Sequence, residues 1–473
     1  MRIYNTLTRE KEEFKPRKDL STGQAGKKVQ MFVCGPTVYD YIHIGNARTF
    51  VIFDVVAKYL RYRGYDVNYI QNITDIDNKI IERAQKENVD PLEYAKKYSD
   101  IFKQDMQALG VTAPEYKNAT DHIPEVIKQV QTLLDKGNTY VIENDGIYFD
   151  LSTFPDYGKL SGRTASMADD AISRIDDSDK KRNRGDFALW KFSQAGDPSW
   201  PALFGAGRPG WHIEDTAITE KYFGHQYDIH GGGQDLIFPH HEAEIAQQES
   251  VSNLKPFVKY WMHSGFLVNK DEKMSKSLGN FETLRDVLNN CSSEVLRFYF
   301  LSNHYRAPLD FTNESLNSAQ AAINRVTETL HRLDIMENKT GGGILGDLHE
   351  KARNEFTEAM DDDFNTPRAF ATIFDFIRNI NGILSQSGLS TSDSNLIKEF
   401  FVTVNKSLGI IPAQINRSLP QEIQKLIDER QQARDAKDFA KSDQLRQELK
   451  NLGYRIEDTT YGPLVVKNNH PHQ

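Results

Sequence analysis

Apolar and polar positions recur with two different periods along this chain, and the change of period divides it. The run VQMFVC, Val29 to Cys34, has strand composition and stops at Gly35-Pro36. From about Ala47 the apolar positions Phe50, Val51, Val55 and Leu60 follow helical spacing until Gly64, which fits a C-cap. DVNYIQN, Asp66 to Asn72, reads as the next strand, and a new helix follows NITDID. Strand, helix, strand in that order predicts a βαβ unit, hence a Rossmann-like parallel sheet with its ligands at the carboxyl ends of the strands.

Residues from about 112 to 210 read as an insertion into that α/β domain. It holds a helical stretch (Ile123–Leu134), the strand-like GIYFDL, and a polar, charged segment (Asp169–Arg184) before DFALWKF. Core character returns with Gly210–Asp215 and YDIHGGG and continues past Trp261 to the polar loop DEKMSKSLGN, so the first domain is expected over 1–281. Beyond 282 strand signals nearly vanish. Amphipathic patterns at Leu284–Leu288, Glu294–Leu301 and Ser315–Leu333 predict a helical region over 282–345, and those at His349–Met360, Pro367–Ile383 and Leu396–Val404 an all-α bundle over 346–411. NKTGGGILG and SQSGLSTSDSN read as loops. A Pro-containing linker, Ile411–Pro420, then leads to two short helices and two strands, a small α+β module over 412–473. No internal repeat is present.

A length of 473 residues agrees with about three domains. With a net charge of −9, any RNA partner must be met by local basic patches and not by bulk charge. The opening MRIYNTLTREKEEF lacks an apolar h-region, and the most apolar run, Phe50–Leu60, is broken by Asp54 and Lys58. Neither secretion nor membrane insertion is expected. Two cysteines, Cys34 and Cys291, cannot make a disulfide framework for a chain this long, which points to a reducing cytoplasm. Cys291 reads as a plain small packing residue.

The densest chemistry lies in His230–Glu244, HGGGQDLIFPHHEAE. Three successive glycines would let backbone approach a ligand closely, and Asp235 beyond them could accept from a hydroxyl. After Pro239 the pattern turns helical, and His240 and Glu244, four apart, share one helix face as metal ligands or as a surface pair. HIGN, His43 to Asn46, opens the first predicted helix. Free amide N–H groups there, with an imidazole donor, suit a triphosphate, while an ordinary loop histidine beside an N-capping Asn is the plainer alternative. KMSKS, Lys273 to Ser277, follows more than two hundred residues later in a loop of phosphate-binding composition, where Lys276 could neutralise a departing pyrophosphate.

HIGN followed in this order by KMSKS resembles the class I aminoacyl-tRNA synthetases. CGPTVYDYIHIGNARTF, NITDIDNKI, GWHIE, DIHGGGQDLIFPHHEAEIA and YWMHSGFL are similar to the cysteinyl-tRNA synthetase family, and the likeness covers nearly the whole chain. The resemblance implies activation of L-cysteine with ATP, with Mg²⁺, to cysteinyl-adenylate and pyrophosphate, then transfer to a terminal ribose hydroxyl of tRNA(Cys). It implies a catalytic set of His43, Asn46, Lys273 and Lys276, with ATP contacts from His43, His230, Asp235 and Lys276. For His230 a packed histidine tied to backbone is the alternative. Gly35, Thr74 and Trp211 would line the cysteine pocket.

The resemblance further implies one zinc ion held by four side chains. Three match at Cys34, His240 and Glu244, whereas the fourth, usually cysteine, is Asp215 here. Aspartate carries the same charge as a thiolate but is a harder donor, so zinc retained by Cys34, Asp215, His240 and Glu244 would be more Lewis-acidic. The rival is a metal-free pocket that reads cysteine by size and hydrogen bonds. A metal–sulfur contact would explain the choice of cysteine, because an apolar pocket separates such small side chains by only about 1–3 kcal/mol.

In the terminal module the resemblance implies anticodon reading by Arg434, Asp443 and Asp458, with Phe439 offering a smaller stacking face where the family commonly has tryptophan. A monomer is expected. Two other readings belong to different classes: a cysteine:amino-sugar ligase of mycothiol synthesis, which lacks the terminal module, and a catalytically dead RNA-binding paralogue.

Overall fold

The computed structural model describes residues 1–17, 26–163, 178–194, 196–269, 272–273, 282–336, 345–386, 389–412, 420–459 and 462–467. The chain forms two compact units: Met1–Ser293, Phe300–Thr312 and Glu358–Pro367 in one, Glu294–Tyr299, Asn313–Thr357 and Arg368–Gln473 in the other.

The first unit is built on a five-stranded parallel sheet, in the spatial order Val258–Ser264, Tyr227–Gly233, Lys28–Val33, Asp66–Ile73, Glu115–Asn118. Lys28–Val33 occupies the middle, with Met31 opposite both Ile229 and Tyr69. The chain winds outward on one side through Asp66–Ile73 and Glu115–Asn118, then returns to add the other two strands on the opposite side. The order therefore reverses between Lys28–Val33 and Tyr227–Gly233, and a parallel sheet opens a ligand crevice at the carboxyl ends beside such a reversal. Met31, Phe32 and Val33 are fully buried, as expected of a strand in a sheet covered on both faces. The helix Ile44–Tyr62 makes the first crossover.

Three boundaries differ from those expected. The first helix begins at Ile44, with His43 as its N-cap, so Asn46 sits inside the first turn and does not cap it. Glu115–Asn118, placed by the periodicity inside an insertion starting near 112, is the fifth strand of the central sheet. EYKN shows no apolar alternation because it lies at a sheet edge, where pairing can proceed without two buried faces. The inserted part proper is a four-stranded antiparallel sheet of Thr139–Ile142, Gly146–Phe149, Phe187–Phe192 and Gly207–Pro209. Its Ile147, Phe149, Leu189 and Trp190 share one apolar core with Phe32 and Ile70 of the central sheet. The third difference lies past 281, where the catalytic domain was expected to end. Leu309–Asp310 is a short strand parallel to Leu267–Asn269, and it keeps residues 300–312 in the first unit.

The second unit contains the helices Asn313–Met336, Thr366–Gln386 and Thr391–Leu408 over most of their length, then the small module. The Phe298 and Phe370 rings stack at 4.3 Å, and Arg297 donates from Nε and Nη2 to the Leu408 carbonyl, at 3.0 and 2.9 Å. The module has the expected order: helices Gln421–Asp435 and Phe439–Asn451, then the antiparallel strands Tyr454–Thr459 and Gly462–Lys467 around Ile423, Ile427, Leu449, Tyr454 and Ile456. Much of the charged segment expected at 169–184, most of NKTGGGILG, part of SQSGLSTSDSN and most of the linker lie outside the described residues. Among those described, no helix is long and apolar enough to cross a membrane.

Candidate active site and metal centre

The carboxyl ends of three central strands converge on a cleft of about 370 Å³. Cys34 and Gly35 follow Lys28–Val33, Gly233 and Asp235 close Tyr227–Gly233, and Ser264 and Gly265 close Val258–Ser264; His43, Asn46 and Trp211 complete the wall. Six residues singled out in the sequence, Cys34, Gly35, His43, Asn46, Trp211 and Asp235, thus face one cavity. Gly35 is obligatory: a Cβ there would stand 1.7 Å from the Asn72 carbonyl oxygen, and its amide donates to Asn72 Oδ1 at 2.6 Å. Asp235 is exposed at the rim. Thr74 is buried behind the wall, donating to Glu214 Oε2 at 2.8 Å.

Below Cys34 lies a buried polar nest. His240 and Glu244 do share a face, with Nε2 3.1 Å from Oε1, and Asp215, in the first turn of the helix Ile213–Phe223, brings Oδ2 to 3.0 Å from the same nitrogen. Cys34, Asp215, His240 and Glu244 bring one donor atom each within 4.8 Å of one another. Trp211 stacks over His240 at 4.5 Å, and His212 Nδ1 holds His240 Nδ1 at 2.7 Å. Burial, then Glu244 and Asp215, push the Cys34 thiol well above its ordinary pKa. Burial opposes a charge on His240, but Glu244 and Asp215 prevail and raise its pKa to about 10. Burial raises that of Glu244 to about 8, against the pull of His240. Cys34, Asp215 and Glu244 could all be deprotonated together, out of water, only around a cation, and Asp215 Oδ1 and Glu244 Oε2 have no hydrogen-bond partner. A thiolate, an imidazole and two carboxylates are accepted ligands of a zinc-class ion, so the donor set fits a metal.

His230, expected among the ATP contacts, is not among the residues that line the cleft. It is fully buried in the nest, its ring stacked on Trp261 at 4.4 Å and its Nε2 3.2 Å from Cys34 Sγ. Strand alternation explains this correction: His230 points below the sheet end, and only Gly233 of the glycine run reaches the cleft. The other two glycines serve internal packing. A Cβ on Gly231 would stand 2.3 Å from the Phe53 ring, and one on Gly232 2.9 Å from the His241 ring.

Backbone pairing ties the far end of the KMSKS segment to HIGN. Ile44 N–H donates to the Glu282 carbonyl and Leu284 N–H to that of Ile42, each at 3.0 Å. Lys273 ends the short strand Glu272–Lys273; Lys276 lies outside the described residues.

Sequence reasoning missed three supports. Arg48, fully buried, donates to the carbonyls of Gly265, Phe266 and Ala307 at 2.9, 2.8 and 2.7 Å and so fixes the cleft wall. Glu242 accepts from the amides of Gly158, Leu160 and Ser161, anchoring the inserted part to the His240–Glu244 turn. His241 and His263 pair at 2.8 Å beside the nest. An arginine among the apolar positions of the first helix was the one available signal.

In the terminal module Arg430 grips Asp458 through both terminal nitrogens at 2.8 Å, and Arg434 Nη1 reaches it at 2.5 Å. Phe439 is 66% exposed, a free ring face at the start of its helix, and Asp443 is exposed on the same helix.

Residues 21–321 match the family model described as tRNA synthetases class I (C) catalytic domain, 355–412 the DALR domain, and 416–461 the Cysteinyl-tRNA ligase anticodon binding domain. Curated relatives include the cysteine–tRNA ligases of Carboxydothermus hydrogenoformans, 44% identical over 98% of this chain and 99% of that one, and of Thermococcus onnurineus, 42% identical over 98% of each. Among solved structures, Mycobacterium tuberculosis methionyl-tRNA synthetase in complex with methionyl-adenylate matches with a TM-score of 0.59 at 16% identity, covering 80% of this chain and 89% of that one. The ternary LeuRS–tRNA–LeuAMS complex of Agrobacterium radiobacter matches with a TM-score of 0.60 at 10% identity over 82% and 84%. These two likenesses concern the fold alone.

Proposed function

This chain belongs to the class I aminoacyl-tRNA synthetases and, within them, to the cysteine–tRNA ligases, and on that premise we propose how its own residues carry the reaction. It is a ligase that activates cysteine with ATP and transfers it to tRNA(Cys). The observation that carries the assignment of roles is the convergence of Cys34, Gly35, His43, Asn46, Trp211 and Asp235 on one cleft.

Cysteine enters above Cys34, its backbone against Gly35, where no Cβ intrudes, and its side chain beneath the Trp211 ring. Thr74, oriented by its bond to Glu214, backs that pocket. Asp235 accepts from a ribose hydroxyl of ATP at the rim. His43 and the positive end of the helix Ile44–Tyr62 draw in the phosphates, accompanied by Mg²⁺. The cysteine carboxylate attacks the α-phosphorus in line and pyrophosphate leaves, its charge taken up by Lys276 and Lys273. The tRNA hydroxyl then displaces AMP from the activated carbonyl. Cys34, Asp215, His240 and Glu244 would hold a zinc ion, which supplies a Lewis-acidic partner for the substrate sulfur when bound.

Phe439 stacks an anticodon base, and Asp443 and the Arg434 edge read its neighbours. The protein acts in the cytoplasm as a monomer. Nothing observed favours an amino-sugar acceptor, and the match to an anticodon-binding family over 416–461 weighs against it.

Cysteine-dependent exchange of labelled pyrophosphate into ATP tests the reading. Exchange with cysteine is expected, and none with purified, metal-replete protein would point to a dead paralogue. Deleting 412–473 should spare exchange and abolish tRNA charging; unchanged charging would remove the anticodon role.

A further inference from the structure

Glu358–Pro367 falls among the helices of the second unit in sequence but packs into the first. At its turn stands Asp363, fully buried, with both carboxylate oxygens in use. Oδ1 accepts from the Tyr4 amide and the Tyr305 hydroxyl, each at 2.8 Å, and Oδ2 accepts from Arg306 Nε at 3.0 Å and Nη2 at 2.8 Å. Its backbone is left-handed, with φ +62°, which aspartate adopts more readily than most residues.

Tyr305 and Arg306 in turn abut the cleft wall. The Gly265 amide donates to the Tyr305 carbonyl at 2.8 Å, and a Cβ on Gly265 would stand 2.6 Å from the Arg306 carbonyl oxygen and 2.5 Å from that of Ala307. Leu309 N–H donates to the Phe266 carbonyl at 3.0 Å. Ser264, Gly265, Phe266 and Leu267 all line the cleft.

We propose that Asp363 is a positioning residue for the nucleotide half of the cleft. By fixing Tyr305 and Arg306 it holds the wall Ser264–Leu267 against the helix Ile44–Tyr62, and so sets the affinity for ATP without touching it. The inference rests on the functional reading above and adds a residue to it.

The wall is joined to the helix whose start draws in the phosphates. Thr49 Oγ1 and Ser264 Oγ lie 2.8 Å apart, Arg48 of that helix donates to the Gly265 and Phe266 carbonyls, and a Cβ on Gly45 would stand 4.0 Å from Leu267 Cβ. The cysteine pocket is built from other elements: Cys34 and Gly35 follow Lys28–Val33, Thr74 follows Asp66–Ile73, and Trp211 precedes Ile213–Phe223. A wall displaced by a fraction of an ångström should therefore loosen ATP and spare cysteine.

The contacts of Asp363 require a carboxylate. An amide of the same size accepts at one terminal atom and donates at the other, so it would turn a donor toward either Arg306 or the Tyr4–Tyr305 pair. Arg306, half-buried over the Tyr4 ring at 4.2 Å, would then lose its counter-charge. Asn also tolerates the left-handed backbone, so Asp363→Asn changes the charge and the donors but neither the volume nor the turn.

The test is pyrophosphate exchange by full-length protein, with ATP varied at saturating cysteine and cysteine varied at saturating ATP. Asp363→Asn should raise the KM for ATP about tenfold and leave the KM for cysteine within about twofold. Tyr305→Phe, which removes one hydrogen bond to Asp363, should raise the KM for ATP about threefold. A lower rate with both KM values unchanged is what partial loss of folded protein produces, and it would overturn the inference; so would an equal rise in both. If Asp363→Asn does not fold, Tyr305→Phe decides alone, and an unchanged KM for ATP there would overturn it. Wild-type protein without cysteine-dependent exchange would instead overturn the functional reading, and this inference with it.

Discussion

Asp215 Oδ2 stands 3.0 Å from His240 Nε2, in the position where the family resemblance implies a cysteine. With a carboxylate there, the donor group Cys34, Asp215, His240 and Glu244 would offer a metal ion a harder set than one with two thiolates. Asp215→Ala should weaken Zn²⁺ binding at least about tenfold, since it removes a donor and leaves His240 less well oriented. Asp215→Cys should tighten it relative to the natural protein, because a thiolate is the softer, better-matched ligand. Competition against a chromophoric chelator checks both, and equal affinities in all three proteins would remove Asp215 from the site.

Gly35 approaches the Asn72 carbonyl so closely that no side chain fits. Gly35→Ala must push the end of Lys28–Val33 away from Asp66–Ile73, costing about 1–3 kcal/mol of stability and shifting the cysteine pocket. Urea unfolding should show the loss, together with a raised KM for cysteine.

Lys276→Ala should lower the rate of pyrophosphate exchange by roughly 100-fold or more while moving the KM for cysteine little, as expected for a group that acts on developing charge. If the rate is unaffected, the KMSKS segment is not the phosphate loop here.

In the terminal module the hydrogen bonds from Arg430 hold Asp458 below the ordinary carboxylate range, with Arg434 and Arg446 helping. A carboxyl whose pKa is depressed by folding contributes stability at pH values above its unfolded pKa, about 3.9, and loses it as pH falls through the lower folded value. Amide protection over Tyr454–Thr459, corrected for intrinsic exchange, should therefore fall as pH is lowered from about 4. In Arg430→Gln the fall should start at the same pH, be smaller and be complete at a higher pH. Identical profiles would show that the Arg430–Asp458 pair does not brace these strands.

The sequence by itself determined what depends on neighbours along the chain. The period of Phe50, Val51, Val55 and Leu60 fixed a helix, VQMFVC fixed a buried strand, and His240 and Glu244, four apart, fixed a shared face that the distance of 3.1 Å bears out. HIGN and KMSKS, in order, pointed to the class, and CGPTVYDYIHIGNARTF, GWHIE and DIHGGGQDLIFPHHEAEIA to the family within it. Tertiary structure alone decided what depends on elements far apart in sequence meeting at particular registers. It put Glu115–Asn118 beside Asp66–Ile73, turned Arg48 onto three carbonyls, packed Gly231 and Gly232 against Phe53 and His241, and drew His230 down beside Cys34. No local pattern announces such partners, because a buried polar residue is stabilised only by the group the fold brings to it, and that group can lie two hundred residues away.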